Sequence, residues 1–337
     1  MNGEPRSFSP AGVLSAAYAR IGALRRAWYK RPGRGRRLSH PVISVGNLSL
    51  GGSGKTPVVA ALARLLQQRG ERPAILTRGY GRREATEGVL VVSDRERVFE
   101  PVERSGDEPQ LLARALPGVP VLVGGDRYLA GVLAQKHLGA TVSILDDGFQ
   151  HVQLERDIDL LLVSIDDLSD RVVPAGRLRE SLEAAQFADA LLVGGSPDDV
   201  VRVAGALKSP TAFRVEAKYG LTAVPQRAVA FAGIARPERF FNALRSLGYE
   251  VARELTFPDH HWYTARDILR IQAAARDTGA TLIVTTEKDA VRCRLECAVL
   301  PMTVSIEPAA EFEQWLFGTL WPHGRARESL PPRGEPA

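Results

Sequence analysis

From Pro41 onward the chain alternates short runs of β-branched and aliphatic residues with longer stretches of mixed polarity. The runs are PVISVGN (41–47), PAILT (73–77), VLVV (89–92), VPVLVG (119–124), VSILDD (142–147), DLLLV (159–163) and ADALLVGG (188–195). They are apolar on successive residues rather than alternate ones, so both faces of each strand must be covered. Strands of that kind separated by helical segments, the first over 57–68, predict an α/β fold with a mostly parallel sheet wrapped by helices. Between 211 and 234 the texture changes to extended ribbon and strand, with Gly220 and Pro225 as turn signals. A second, smaller α/β pattern follows: helix 237–246, strand 251–256, helix 264–278, strand 281–286. The expected boundary lies near residue 224, with a main domain over 41–223 and a smaller one over 224–322 that closes the cleft. Residues 323–337 are polar and rich in Pro and Gly, and are expected to be disordered.

Ahead of the first strand, residues 13–29 (VLSAAYARIGALRRAWY) have helical spacing. Leu14, Tyr18, Ile21, Leu24 and Tyr29 fall near one face with Trp28 beside it, and Arg20, Arg25 and Arg26 lie elsewhere. Charge sharpens the picture. The net +5 is unevenly spread: residues 1–40 carry nine Lys and Arg against one acid, Glu4, a net +8 that leaves −3 for the rest. A basic segment of this kind suits an anionic surface, lipid or nucleic acid. Two readings of the helix stay open: it lies in a bilayer interface, or it packs on its own protein with a solvated basic end. No apolar run reaches the length of about 18 residues that a membrane span needs. Arginines interrupt the N-terminal run where a secretory signal would need continuity. Cys293 and Cys297 are too few for a disulfide framework, and no further Cys or nearby His completes a zinc site.

The strongest chemical signal is SLGGSGKT (49–56), placed after a strand and before a helix. Glycines at 51, 52 and 54 let backbone N–H groups wrap phosphates; Lys55 can neutralise β/γ oxygens and the Thr56 hydroxyl can ligate Mg²⁺. The expected nucleotide-binding set is Ser49, Leu50, Gly51, Gly52, Ser53, Gly54, Lys55 and Thr56, although Ser49 stands where the general pattern has glycine. The second signal, LDDGFQH (145–151), ends an apolar strand at the edge where open parallel sheets bind ligands. There Asp146 is placed to hold Mg²⁺ as a Walker B aspartate does, and Asp147 is a second acidic contact. Weaker clusters are SGDEP (105–109), where Asp107 could equally cap a helix, and FPDHHWY (257–263), where His260 and His261 must point different ways. TRGYGR (77–82) and PAGRLRES (174–181) supply Arg78, Arg179 and Glu180, the arginines suited to phosphate. TTEKD (285–289) approaches a guanine-reading N-K-x-D, but Lys288 sits one position late.

Seven segments in order, VGNLSLGGSGKTP, TRGYGR, SGDEPQLLA, LDDGFQHVQLERD, PAGRLRES, FPDHHWY and TTEKDAVR, run from 45 to 292. Together they resemble the tetraacyldisaccharide 4′-kinase family of lipid A biosynthesis, whose loop allows the Ser at 49. The resemblance implies a P-loop fold and transfer of the ATP γ-phosphate, with Mg²⁺, to the 4′-hydroxyl of a tetraacylated disaccharide 1-phosphate. It also implies a peripheral enzyme at the cytoplasmic face of the bacterial inner membrane, here expected to be monomeric and to bind no nucleic acid. By motif, Asp107 corresponds to the catalytic aspartate and His260 to its partner, with the choice between His260 and His261 open. Asp146 and Glu180 correspond to acids near Mg²⁺–ATP, and Lys55 and Arg179 are expected to offset charge on the transferring phosphoryl group. Rival classes fit less well: a P-loop GTPase needs N-K-x-D, a membrane-positioning ATPase needs Lys where Leu50 stands, and a nucleic-acid ATPase lacks a base-stacking module.

Overall fold

The computed structural model describes residues 10–51, 54–84, 87–221 and 223–322. Residues 1–9, the loop residues Gly52 and Ser53, and the tail 323–337 therefore lie outside the described residues. The chain begins with α1 (Pro10–Tyr29), β1 (Val42–Asn47), α2 (Lys55–Gln68), β2 (Pro73–Thr77) and β3 (Val89–Ser93). Then come α3 (Val102–Ser105), α4 (Asp107–Ala115), β4 (Val121–Gly124), α5 (Arg127–Leu138), β5 (Val142–Asp146) and β6 (Ile158–Val163). Next are β7 (Ala190–Gly194), α6 (Pro197–Leu207), β8 (Ala212–Tyr219), β9 (Arg227–Ala232), α7 (Pro237–Ser246) and β10 (Glu250–Thr256). The last are α8 (Ala265–Thr278), β11 (Leu282–Thr286), α9 (Glu287–Ala290), β12 (Ala298–Leu300), β13 (Met302–Glu307) and α10 (Ala309–Leu320).

Nine strands form one sheet in the order β13-β8-β7-β6-β1-β5-β2-β4-β3. Only its outermost pairs, β3 with β4 and β13 with β8, are antiparallel. The apolar runs thus fold as expected, into a mostly parallel sheet covered on both faces. Ile43 and Val45 of β1 pack with Val58, Val59, Leu62 and Leu66 of α2 in the largest core cluster. Burying each such aliphatic side chain contributes about 1.5–3 kcal/mol before entropy is counted. The central strand β1 lies between β5 and β6, where the strand order reverses and the C-terminal strand ends open a crevice. Register puts Asp146 of β5 level with Val45, so the acidic pair flanks the start of the loop after β1.

A separate four-stranded parallel sheet, β10-β9-β11-β12, forms the smaller unit. Alternation along β9 sends Ala228, Ala230 and Ala232 against α7, while Val229 and Phe231 meet Ile271 and Ala274 of α8. α8 starts at a capping box between Thr264 and Asp267 and stops at Gly279 in the left-handed region. The chain enters this sheet after Tyr219 but leaves it at Met302. β13 pairs with β8, and Phe312, Leu316 and Leu320 of α10 enter the main core. Residues 302–320 therefore belong with the large sheet, which corrects the expected 224–322 extent. The local pattern of a short edge strand carries no sign of which distant sheet it will join.

Helix α1 packs with its polarity reversed. Ser15 and Arg26 are buried on its protein-facing side, while Val13, Leu14, Tyr18, Ile21, Leu24 and Trp28 are all exposed. Ser15 Oγ donates to Val172 O at 2.7 Å and accepts from Ala175 N at 3.2 Å. The Arg26 guanidinium spans Glu180 Oε1 (2.9 Å) and Phe149 O (3.0 Å) and lies over the Phe149 ring. Beyond α1, Arg36 pairs with Asp126 at 2.8 Å and Arg37 with Asp157 at 2.8 Å, so the end of the basic segment is tied to the protein.

Candidate active site

The loop between β1 and α2 has two features that favour an anion. Gly54, at the N-cap of α2, adopts φ 84°, a left-handed conformation costly for a residue with a Cβ, and no side chain caps the helix. The start of α2 places the positive end of the helix dipole at this loop, where an anion is favoured. Ser49 explains its own departure from glycine. Its backbone forms an isolated antiparallel bridge with Leu178 and needs no left-handed angle. Leu50 N donates to Arg177 O (2.7 Å) and Arg179 N to Leu48 O (2.6 Å), so 177–179 splints the front of the loop. Lys55 Nζ donates to Asn47 Oδ1 at 2.8 Å and lies 3.3 Å from Asp147 Oδ1.

Asp147 gathers the cations at the loop mouth, because Arg179 Nη1 donates to both its oxygens (2.8 and 3.1 Å). Burial alone would push its carboxyl up, but Lys55 and Arg179 together hold it below the ordinary carboxylate range. Asp146 differs. It is buried, accepts one long hydrogen bond from Thr77 Oγ1 (3.2 Å), and its Oδ1 has no hydrogen-bond partner. Burial, then Glu108 and Asp147, push its carboxyl up. A buried acid short of positive charge beside a phosphate loop fits a divalent cation. Among the described residues no three acidic, His or Cys side chains form a complete metal cage.

Glu180 is held by α1. Both its oxygens accept from Arg26 (2.9–3.2 Å), so the expected metal ligand instead fastens α1 to the segment that splints the loop. Arg78 follows β2 exposed, its charge felt by Arg127. Arg127 was not anticipated from sequence. It is buried at the start of α5, donates to Gly124 O (2.9 Å), and burial and Arg78 lower its guanidinium while Asp147 and Asp146 oppose the shift.

The second half of the site comes from both sheets. Gly106, at φ 90° with the Tyr80 carbonyl 2.9 Å from where a Cβ would stand, turns the chain so that α4 opens on Asp107. Asp107 is the first helical residue rather than a cap, and its Oδ1 accepts from Glu108 N (3.0 Å). Its Oδ2 lies 2.9 Å from His260 Nδ1, 3.5 Å from Arg292 Nη1 and 3.9 Å from Lys288 Nζ. Burial pushes the Asp107 carboxyl up, yet His260, Lys288 and Arg292 together bring it below its ordinary value. The His260–Asp107 contact is short but off the line of a well-formed hydrogen bond. His260 holds φ 60°, a strained angle that aims its ring across the cleft. His261 turns inward: it stacks on Phe257 (5.0 Å between centroids) and its Nε2 lies 3.1 Å from Asp267 Oδ2. The doubled histidine is thus one packed residue and one cleft residue. Lys288 and Asp289, weighed above as a guanine reader, are otherwise engaged. Lys288 faces the acids of α4, and the fully buried Asp289 binds Arg292, Tyr263 and the Gly233 amide.

Comparison with known proteins meets this geometry. The family model described as tetraacyldisaccharide-1-P 4′-kinase matches residues 11–330. The chain belongs to that family. A tetraacyldisaccharide 4′-kinase from Geobacter metallireducens is 43% identical over 300 residues, covering 83% of this chain and 87% of the relative. One from Nitrobacter winogradskyi is 41% identical over 313 residues, covering 89% and 90%. A crystal structure of LpxK from Aquifex aeolicus in complex with ATP superposes with a TM-score of 0.74 at 32% identity, over 91% of this chain and 98% of that one.

One neighbour of the site gives a prediction about stability. His151, after the acidic pair, is half-buried with its Nε2 unpartnered; burial, then Arg127, Arg156 and Arg25, lower its imidazole from 6.5 to about 4. The unfolded chain takes up a proton near pH 6.5 that the folded chain refuses until about pH 4. Stability is therefore intact above the unfolded value and falls as pH drops through this window. Urea midpoints at pH 7 and 4.5 should show wild type losing about 1–2 kcal/mol more than His151→Asn, allowing for partial exposure. Equal losses would remove His151 from that role.

Proposed function

We propose that this chain transfers the γ-phosphate of ATP to the 4′-hydroxyl of a tetraacyldisaccharide 1-phosphate, forming the 4′-phosphorylated lipid A precursor. The observation that carries the reading is the 2.9 Å contact of Asp107 with His260, next to Glu108, whose charge acts on Asp146 beside the phosphate loop. The loop amides and Lys55 bind the triphosphate, and Arg179 stands ready to offset charge on the transferring group. Thr56 and Asp146 would hold Mg²⁺, which would supply positive charge to the phosphates as negative charge develops on them. Asp107 accepts the proton of the acceptor hydroxyl. A carboxylate held ionised suits this step, because a loose phosphoryl transition state needs the nucleophile oriented more than strongly deprotonated. Asp107 Oδ2 and His260 Nδ1 lie 2.9 Å apart, so the two units bring this pair into contact. ADP release should require tetraacyldisaccharide 1-phosphate and fall to background with the same lipid already bearing a 4′-phosphate. Equal release with both would refute the acceptor assignment.

The same reading places the enzyme at a membrane surface, on the cytoplasmic face of the inner membrane. No described helix is long and apolar enough to cross a bilayer. α1 instead offers Leu14, Tyr18, Ile21, Leu24 and Trp28 outward, the reverse of a helix that buries its apolar side on its own protein. Its anchor, Arg26–Glu180, is one residue from Arg179, which reaches Asp147 at the loop. An acceptor whose acyl chains stay in the bilayer would meet the nucleotide there. Changing Leu14, Ile21 and Leu24 together to Ser should lower partition to anionic vesicles more than tenfold, since each buried aliphatic contributes about 1.5–3 kcal/mol. Unchanged vesicle sedimentation would rule out the docking face.

A further inference from the structure

We infer that Lys288 is a positioning residue that fixes the tautomer of His260, and so makes Asp107 rather than His260 the proton acceptor. The inference rests on the proposed role of Asp107 as the base. Two neighbours specify the ring independently. Lys288 Nζ lies 3.1 Å from His260 Nε2. An ammonium has donors and no acceptor, so the nitrogen it meets carries the lone pair. On the other side, Nδ1 lies 2.9 Å from Asp107 Oδ2, and an ionised carboxylate only accepts. The proton must therefore sit on Nδ1, and both contacts demand the same neutral form. A doubly protonated ring would set a second cation against Lys288 at that distance.

The charged and titratable groups facing His260 are consistent with this assignment. Asp107 and Glu108 come from α4, Lys288 from α9, and Asp259 from its own loop, its Oδ2 3.9 Å from Nε2. Arg292, after α9, reaches Asp107, and Tyr80 meets the ring edge-on at 5.4 Å between centroids. Lys288 also lies 3.4 Å from Glu108 Oε1 and 3.6 Å from Asp259 Oδ1, so its ammonium is held from three sides. Because α9 belongs to the small sheet and α4 packs on the large one, the same side chain ties the two units together across the cleft. With Nε2 occupied, His260 cannot take the substrate proton. Its Nδ1 side can only face Asp107 Oδ2, 2.9 Å away, and orient it.

The test pairs spectroscopy with kinetics on the full chain. Long-range ¹H–¹⁵N correlation of histidine-labelled protein, with His260→Gln as the assignment control, should show Nδ1 protonated and Nε2 bare in wild type. Lys288→Met, which keeps the length of the side chain, should lose that signature. Its kcat should fall on the order of 10–10²-fold, part of what an acid–base group supplies, with KM for ATP unchanged. The acid limb of its kcat/KM profile should move to higher pH, because removing a facing cation eases protonation of Asp107. Lys288→Arg, also a pure donor, should restore the tautomer and part of the rate. A proton found on Nε2 in wild type, or an unchanged tautomer and acid limb in Lys288→Met, would overturn the inference. Full activity of Asp107→Asn would instead refute the base assignment, while the tautomer measurement would still stand on its own.

Discussion

Asp107→Asn should fold and bind ATP as wild type does, yet turn over about 10²–10⁴ times more slowly, the range for losing an acid–base group. The amide keeps the shape of the carboxylate and can still accept from Glu108 N, so α4 should start where it does now. What it loses is the charge that three groups address: His260, Lys288 and Arg292. Stability should fall only modestly, because Arg292 retains Asp289 at 2.8 Å and Lys288 retains Glu108 at 3.4 Å. Circular dichroism and single-turnover kinetics at saturating lipid separate folding from chemistry. A folded variant within about threefold of wild type would remove Asp107 from the proton-accepting role.

Lys55→Ala should be nearly as damaging, with kcat lower by about 10²–10³-fold, the scale of one lost transition-state charge contact. Lys55 now folds back onto Asn47 and Asp147. Removing it leaves Asp147 to Arg179 alone, which biases the loop mouth toward negative charge and should weaken ATP binding as well. The two variants therefore differ in kind. Asp107→Asn should leave KM for ATP near wild type, while Lys55→Ala should raise it. Initial rates over a matrix of ATP and lipid concentrations distinguish them, and an unaltered kcat in Lys55→Ala would show that the loop lysine does not meet the transferring phosphate.

Much of this site could be read along the chain because its parts are local. Strand, glycine-bearing loop and helix are contiguous from 42 to 68, and the acids of β5 end a run of apolar residues that can only be a buried strand. The legible parts ended where long-range pairing began. Residues 302–320 join the large sheet through partners some eighty to ninety positions earlier, as in the pairing of Met302 with Tyr219. Glu180 shows the same limit at a single side chain. Its motif suggested a metal, and only the folded chain brings Arg26 to it from 154 positions away. Lys288 was visible but misdirected, since Thr-Glu-Lys-Asp invites comparison with a base-reading motif. Its chemistry depends on α4 lying opposite, which no spacing within the motif reveals. The doubled histidine is the converse: the motif favoured His260 with His261 still open, and packing against Phe257 sets His261 apart from His260.

The central claim is that one crevice joins the phosphate loop to an acceptor site built around Asp107 and His260. Its most direct test is transfer of labelled γ-phosphate from ATP to tetraacyldisaccharide 1-phosphate, with the position of the new phosphate read by NMR of the product. Wild type should place label on the 4′-oxygen, while Lys55→Ala and Asp107→Asn, both folded, should place little. Label released only as inorganic phosphate, or found elsewhere on the disaccharide, would contradict the account.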